Sequence, residues 1–280
     1  MFLRPRTLQD ALEALASTGG VILAGGTDIF PSLGDRPLSG TVIDISGLQE
    51  LRGIEIGAQE IVIGGRTTWS DIVSADLPRG FDGLKAAARE VGSVQIQNQA
   101  TIAGNICNAS PAADGVAALL ALDAGLTLTS AADGSRELAV SEFILGNRRT
   151  AKRPDEILTS VRIPRRLENA ASVFLKLGAR RYLVISIVMV AANLVADEQG
   201  RISEAFIAVG SCSPMSVRLP NLERGLIGRS IRDDLRGAVV AEHLAPLSPI
   251  GDVRGTAAYR NDAAFTLLQR ALAACAEKAA

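Results

Sequence analysis

The chain has 280 residues, 48% of them apolar, with 29 basic against 30 acidic side chains and a formal net charge of −1. That length suits about two domains with sizeable cores, and the near-neutral balance lacks the excess basic charge through which nucleic-acid binders work. The longest apolar stretch, residues 183–196, is interrupted by Ser186 and Asn193 and falls short of the ~20 residues a membrane span needs, so it reads as core.

The opening "MFLRPRTLQD" passes directly into a helix start without a charged, then apolar, then cleavable leader. Together with three scattered cysteines, Cys107, Cys212 and Cys275, which suit reduced thiols, this gives the expectation of a cytoplasmic protein. Thr7 is placed to cap a helix with Leu8, Ala11, Leu12 and Leu15 on one face, ended by Gly19 and Gly20. Short apolar or alternating runs at 21–24, 41–45 and 61–63 predict strands. Helices are predicted at 69–73, 84–91 and 114–122, then a hairpin of 126–130 with 136–140 across the favoured turn pair Asp133-Gly134. Residues 156–163 alternate at period two up to Pro164, where the last boundary is set. A strand follows at 172–177, a hairpin of 185–195 with 202–209, and helices to the C-terminus. Short strands mixed with helices, without regular βαβ alternation, argue an α+β fold rather than a doubly wound sheet.

Named catalytic motifs are missing from the sequence. No G-x-G-x-x-G follows a strand, no glycine precedes any of the four lysines as a P-loop requires, and no G-x-S-x-G occurs. The single histidine, His243, falls on a helical pattern with Ile231, Leu235, Ala238 and Val239 and has no companion ligand, so neither a metal site nor a catalytic residue is assigned. Three dispersed cysteines also cannot supply a four-cysteine cluster site.

What stands out is glycine with small polar residues in two places: Ala24, Gly25, Gly26, Thr27 and Asp28, and then Thr101, Ile102, Ala103, Gly104 and Asn105. Each follows an apolar segment and offers consecutive backbone amides plus a hydroxyl or side-chain amide, which reads as a phosphate cradle made without lysine or arginine. The simpler reading is that Gly25-Gly26 turns the chain and Asn105 caps a turn. Two such loops from separate halves could grip one phosphate each of a pyrophosphate.

At these residues the chain resembles a known family. "AGGTD" followed by "VQIQNQATIAGNICNASPAAD" is similar to the FAD-binding medium subunit of the molybdenum hydroxylases, the group of xanthine dehydrogenase and carbon monoxide dehydrogenase, and "ILTSVRIP", "FLKLGARRYLVIS", "AFIAVGSCSP" and "GDVRGTAAYR" extend the resemblance in order over essentially the whole chain. The resemblance implies a two-subdomain FAD-binding fold over residues 1–164, dividing near residue 57 into 1–57 and 58–164. A C-terminal α/β domain of antiparallel sheet and helices is expected over 165–280. It also implies that Leu23, Ala24, Gly25, Gly26, Thr27, Asp28, Ile29 and Phe30 wrap the FAD pyrophosphate and part of the flavin, with Thr101, Gly104 and Asn105 as the second grip. The second loop of the family usually reads T-I-G-G-N; here Ala103 is confined to ordinary backbone angles and is left out of the expected contacts.

Four further positions match the family's cofactor contacts. Asp114 matches an acidic FAD contact and equally suits the N-cap of the helix after it. Leu158 matches a residue packed beside the cofactor, though a strand leucine also suits plain core. Lys176 matches a lysine reaching toward the flavin, and a lysine inside an apolar strand needs a partner for its charge. Tyr182 lies where the family's loop meets the isoalloxazine ring, or is simply a surface loop residue.

The function implied is electron transfer in a heteromeric complex. Substrate is hydroxylated at a molybdenum cofactor on a large subunit, electrons pass through 2Fe-2S clusters on a small subunit, and FAD on this chain delivers them to NAD or another acceptor. The alternatives are a stand-alone flavin oxidase or reductase of the same fold, which would want an acid or base near the flavin, and a nucleotide-binding module without redox chemistry.

Overall fold

The computed structural model describes residues 1–279. Strand β1 (Phe2–Leu3) leads into helix α1 (Leu8–Thr18), where Thr7 and Asp10 form a capping box and left-handed Gly19 closes the end with its amide on the Leu15 carbonyl. Ala11, Leu12 and Leu15 form the buried face that the sequence period predicts. Strand β2 (Val21–Leu23), short helix α2 (Ile29–Leu33) and strand β3 (Val42–Asp44) follow, and the three strands make a parallel sheet in the order β1-β3-β2. The two-residue β1 is too short to carry a period and escapes sequence reading; it forms because β3 has an open edge.

The next stretch supplies β4 (Ile54–Ile56), β5 (Glu60–Gly64), α3 (Trp69–Ser74), α4 (Asp82–Glu90), α5 (Val94–Gln97), α6 (Ile102–Asn108) and α7 (Asp114–Ala121). It continues through β6 (Gly125–Ser130), β7 (Gly134–Ala139), α8 (Val140–Phe143), β8 (Ile144–Gly146), β9 (Arg149–Thr150) and β10 (Ile157–Pro164). An antiparallel sheet in the order β4-β5-β10-β6-β7 turns Ile61, Ile63, Leu126, Leu128, Val161 and Ile163 toward Trp69, Ile72, Leu84, Ile102, Ile106 and Val116 of the helices. The period-two reading of 156–163 thus marks a strand with one face on a helical layer. Helix α6 is a correction: the sequence suggests only a turn there, because glycine and β-branched residues are weak helix formers.

The last stretch forms β11 (Ala171–Leu177), β12 (Val188–Ala196), β13 (Ile202–Gly210), β14 (Val217–Arg218), α9 (Pro220–Leu226) and α10 (Ala257–Ala279), with the four strands antiparallel in chain order. Alternation assigns each face a different layer. Met189, Ala191, Phe206 and Ala208 join the core around α4 and α7, whereas Val188, Val190, Ala192, Leu194, Ile207 and Val209 pack on α10 through Leu268 and Leu272. A sheet covered on both sides explains why β12 reads as a nearly continuous apolar run rather than an alternating one. The first three residues of the 183–196 stretch are not core, however: residues 183–185 lie on the loop before β12, where Leu183 and Ile185 are exposed, and burial begins at Ser186.

The expected helices toward the C-terminus are present as α9 and α10, but the helical pattern between them is corrected. His243 lies not on a long helix but on the second of two 3₁₀ turns, Leu235–Ala238 and Ala241–Leu244, separated by Val239 and Val240 in extended conformation. Paired β-branched residues favour that break. No helix among the described residues is long and apolar enough to cross a membrane.

Candidate functional site

Between the parallel sheet, the N-terminal ends of α6 and α7, and the loop before β12 lies a cleft of about 870 Å3, a size typical of cofactor and ligand sites. Its floor begins where β2 ends. Residues 24–28 leave the sheet and enter α2, and the backbone amides of Gly25, Gly26, Thr27 and Asp28 donate to no acceptor among the described residues. Gly26 is left-handed at φ 72°, which few other residues tolerate. Gly25 serves another need: a Cβ there would lie 2.0 Å from the carbonyl oxygen of Gln99. The first glycine loop therefore lies directly on the backbone leading into the second.

The second loop is the first turn of α6. Its amides are all engaged: Ile102 donates to the Thr67 carbonyl at 3.0 Å, Ala103 to Gly65 at 3.0 Å, Asn105 to Thr101 at 3.0 Å, and Gly104 to the Thr101 hydroxyl at 3.0 Å. A Cβ at Gly104 would meet only that hydroxyl, at 2.9 Å, so the residue leaves open room on the cleft side. The buried Oδ1 of Asn105 has no donor among the described residues. At the far end of α6, Asn108 donates to Asp28 at 2.8 Å and accepts from Arg148, clipping the two loops together.

Asp114 settles one alternative. The N-cap of α7 is Ala113, and Asp114 is the first helical residue, so it does not cap the helix. Its buried carboxylate accepts from Lys176 at 2.8 Å and from the Ser186 hydroxyl at 2.7 Å. Burial pushes its pKa up, and the Lys176 ammonium opposes that shift. Lys176 thus finds the partner that its place in an apolar strand demands; it also donates to the Glu90 carbonyl at 3.2 Å and stands behind the cleft wall rather than on it.

The cleft lining includes Ala24, Gly25, Gly26, Thr27, Asp28, Ile29, Thr101, Gly104, Asn105, Asp114 and Leu158. Leu23 is buried beneath the loop, while Phe30 and Tyr182 are exposed and lie off the lining. The loop before β12 instead presents Leu183, Val184 and Ile185, with Leu183 left-handed at φ 51° and its carbonyl held by Arg180. Arg181 packs on the Tyr182 ring at 5.3 Å.

Sequence reasoning missed the cleft's basic side chains. Arg66, Arg148 and Lys152 line it, so the cradle is not free of lysine and arginine. The only signal for Arg66 was a lone arginine after Gly64-Gly65, and its burial is set by tertiary contacts with Leu48 and Leu51 that no local pattern records. Cys107 also lines the cleft, and burial pushes its thiol up to about 11, which keeps it protonated at neutral pH. Among the described residues no group of three or more His, Cys, Asp or Glu side chains gathers to hold a metal.

Comparison with known proteins points the same way. Residues 1–166 match the family model of the FAD binding domain in molybdopterin dehydrogenase, and residues 174–275 match that of the CO dehydrogenase flavoprotein C-terminal domain. The glyceraldehyde dehydrogenase medium chain of Sulfolobus acidocaldarius is 31% identical over 275 residues, with 96% of each chain covered. The nicotinate dehydrogenase FAD-subunit of Eubacterium barkeri is 35% identical, covering 81% of this chain and 79% of its own. Among solved structures, a chain of the reconstituted CO dehydrogenase from Oligotropha carboxidovorans superposes with a TM-score of 0.91 at 26% identity, covering 99% of this chain and 97% of its own. Matched by both family models in order and similar to such relatives over most of its length, the chain belongs to the FAD-binding medium subunits of the molybdopterin dehydrogenases.

Proposed function

We propose that the chain holds FAD in the 870 Å3 cleft as the electron-transfer subunit of a heteromeric molybdenum hydroxylase. The observation that carries this reading is the run of four backbone amides at residues 25–28 with no acceptor among the described residues, on a loop that lines that cleft. Such a row of amides is a nest for a pyrophosphate. Bound there, FAD supplies exchange between one-electron and two-electron carriers, here from 2Fe-2S clusters on a small partner subunit, supplied by a molybdenum-cofactor large subunit, to NAD or another acceptor.

The chain's own residues fit the group. Residues 24–29 approach the pyrophosphate closely because Gly25 and Gly26 present no side chain, and Thr27 adds a hydroxyl. Thr101, Gly104 and Asn105 act by other means than amides: a hydroxyl hydrogen, open space, and a side-chain amide whose Oδ1 lacks a donor. Val21, Ile22, Ile45, Ile96, Leu158 and the loop residues Leu183 to Ile185 offer apolar walls for flat rings. Asp114 accepts hydrogen bonds at the wall, held in place by Lys176 and Ser186.

Two organisational statements belong to the same proposal. The chain divides at about residue 164, with a further division near residue 57, which is supported by β10 closing one sheet and β11 opening another. The protein works in the cytoplasm. Substrate choice lies outside this chain, a view supported by relatives of similar identity named for glyceraldehyde and for nicotinate.

The test is to load the purified chain with FAD and assay acceptor reduction with organic substrates, alone and then with molybdenum and iron–sulfur subunits encoded beside it. Turnover only in the reconstituted complex is expected. Substrate-dependent acceptor reduction by the chain alone would overturn the reading in favour of a stand-alone flavin enzyme.

A further inference from the structure

We infer that Arg66 is the counter-charge for the cofactor's pyrophosphate, a guanidinium placed between the two glycine loops; the inference rests on the cleft being the FAD site. Arg66 is 8% exposed yet lines the cleft. Three contacts tie it there. Its backbone amide donates to Leu51 at 2.8 Å, the carbonyl of the preceding Gly65 accepts from Ala103 of α6 at 3.0 Å, and its Nη1 donates to the Leu48 carbonyl at 2.9 Å. Leu48 lies in the turn that follows β3, and β3 pairs with β2, whose end starts the first loop. Arg66 therefore stands where the bases of both loops meet.

Nη1 to Leu48 is the one side-chain hydrogen bond Arg66 makes with the described residues, and it forms no ion pair with them. The acids nearest in influence have other partners. Asp71 takes a two-pronged contact from Arg52 at 2.9 and 2.8 Å, and Asp44 accepts from the Ser46 amide at 2.9 Å and lies 3.4 Å from Arg4. Burial, and then repulsion from Arg52, lower the Arg66 pKa from its ordinary value. A buried guanidinium without a counter-ion is unfavourable, and a dianionic pyrophosphate offers the planar, multidentate match that relieves it. The cleft's other cations are less buried: Arg148 is exposed and donates to Asn108, and Lys152 is half-buried and donates to the carbonyls of Arg153 at 2.9 Å and Glu156 at 3.1 Å, so neither bears the desolvation that Arg66 does.

The test titrates FAD into the flavin-free full chain by fluorescence at low and high KCl, with inorganic pyrophosphate as competitor, for wild type, Arg66→Gln, Arg66→Lys and Gly104→Val. Glutamine keeps a donor for the Leu48 carbonyl but no charge. Arg66→Gln is expected to weaken FAD by about tenfold or more, to abolish competition by pyrophosphate and to flatten the salt dependence, while Arg66→Lys retains part of each. Folded Arg66→Gln with wild-type affinity and salt dependence, beside a Gly104→Val chain that has lost FAD, overturns the inference and leaves the cleft as the FAD site. Wild-type binding by both variants overturns the cleft reading with it. If Arg66→Gln does not fold, the wild type decides: FAD affinity that falls with KCl and competition by pyrophosphate support the role of Arg66, and salt-independent binding contradicts it.

Discussion

Two glycine loops face one cleft, and the same residue type does opposite things in them. In the loop of residues 24–28 the amides of 25–28 lack partners among the described residues, while Gly25 is pressed against the Gln99 backbone with no room for even a methyl group. In the first turn of α6 the amides of residues 102–105 are all engaged, while Gly104 stands clear of everything except the Thr101 hydroxyl. The first glycine answers to the fold and its neighbours' amides to the ligand; the second answers to the ligand and its neighbours' amides to the fold. A glycine loop is thus not a uniform signal for phosphate. What each glycine does depends on which atoms approach it, and those can lie more than seventy positions away, as Gln99 does from Gly25.

The largest expected effect comes from Gly25→Val. The clash is with backbone that cannot swing aside, so stability of the flavin-free protein should fall by about 3 kcal/mol or more, measured by chemical denaturation, with FAD lost as a consequence. Gly104→Val should do the reverse. Valine is tolerated in a helix at least as well as glycine, so unfolding should stay within about 1–2 kcal/mol of wild type, allowing for some loss of the Thr101 cap. FAD affinity should fall by about a hundredfold, ~2.7 kcal/mol, because the side chain enters the cleft. Equal stability losses in both variants would erase the distinction between the loops.

Acid sharpens the contrast between loops and wall. Glu156, at the start of β10 and on the cleft lining, accepts from Arg136 at 2.9 Å through Oε2 and from the Arg153 amide at 2.6 Å. The Arg136 hydrogen bonds hold its pKa below the ordinary 4.5 despite burial. A depressed carboxylate pKa contributes stability that is fully present above the unfolded value and lost as pH falls through the folded one. Melting temperature should therefore fall as pH drops below about 4.5, and Glu156→Gln should flatten that limb without changing the order of the two glycine variants. An acid limb as steep as wild type would count against it. The smallest effect is expected from Thr27→Ala, which removes one hydroxyl and should weaken FAD by less than about tenfold, a hydrogen bond of ~1 kcal/mol. A loss as large as that from Gly104→Val would mean that the first loop works through its side chain rather than its amides.

The fold was legible where local chemistry decides it. Helix α1 announced itself through Thr7, its apolar face and Gly19; β10 through its alternation up to Pro164; the β6–β7 hairpin through Asp133-Gly134. It was not legible where tertiary contacts outweigh propensity. The first turn of α6 is helical because Gly65 and Thr67 carbonyls receive its amides, which no local pattern records. The run from Leu183 looked like core, yet its first three residues belong to a loop over the cleft. The same division holds for the site. Both glycine loops were visible as motifs, whereas Arg66 was not, since its burial is set by Leu48 and Leu51. Asp114 could be read as cap or as ligand from sequence; the cap falls to Ala113, one residue earlier, and the carboxylate pairs with Lys176, 62 positions away.

The central claim is that free amides of the first loop receive the cofactor's pyrophosphate. Amide proton chemical shifts of the isotope-labelled full chain, recorded before and after FAD is added, test it most directly. The account predicts large downfield shifts and slowed solvent exchange at Gly25, Gly26, Thr27 and Asp28, with the already engaged amides of Ile102 and Ala103 changing little. Shifts confined to residues 102–105, with residues 25–28 unmoved, would contradict it.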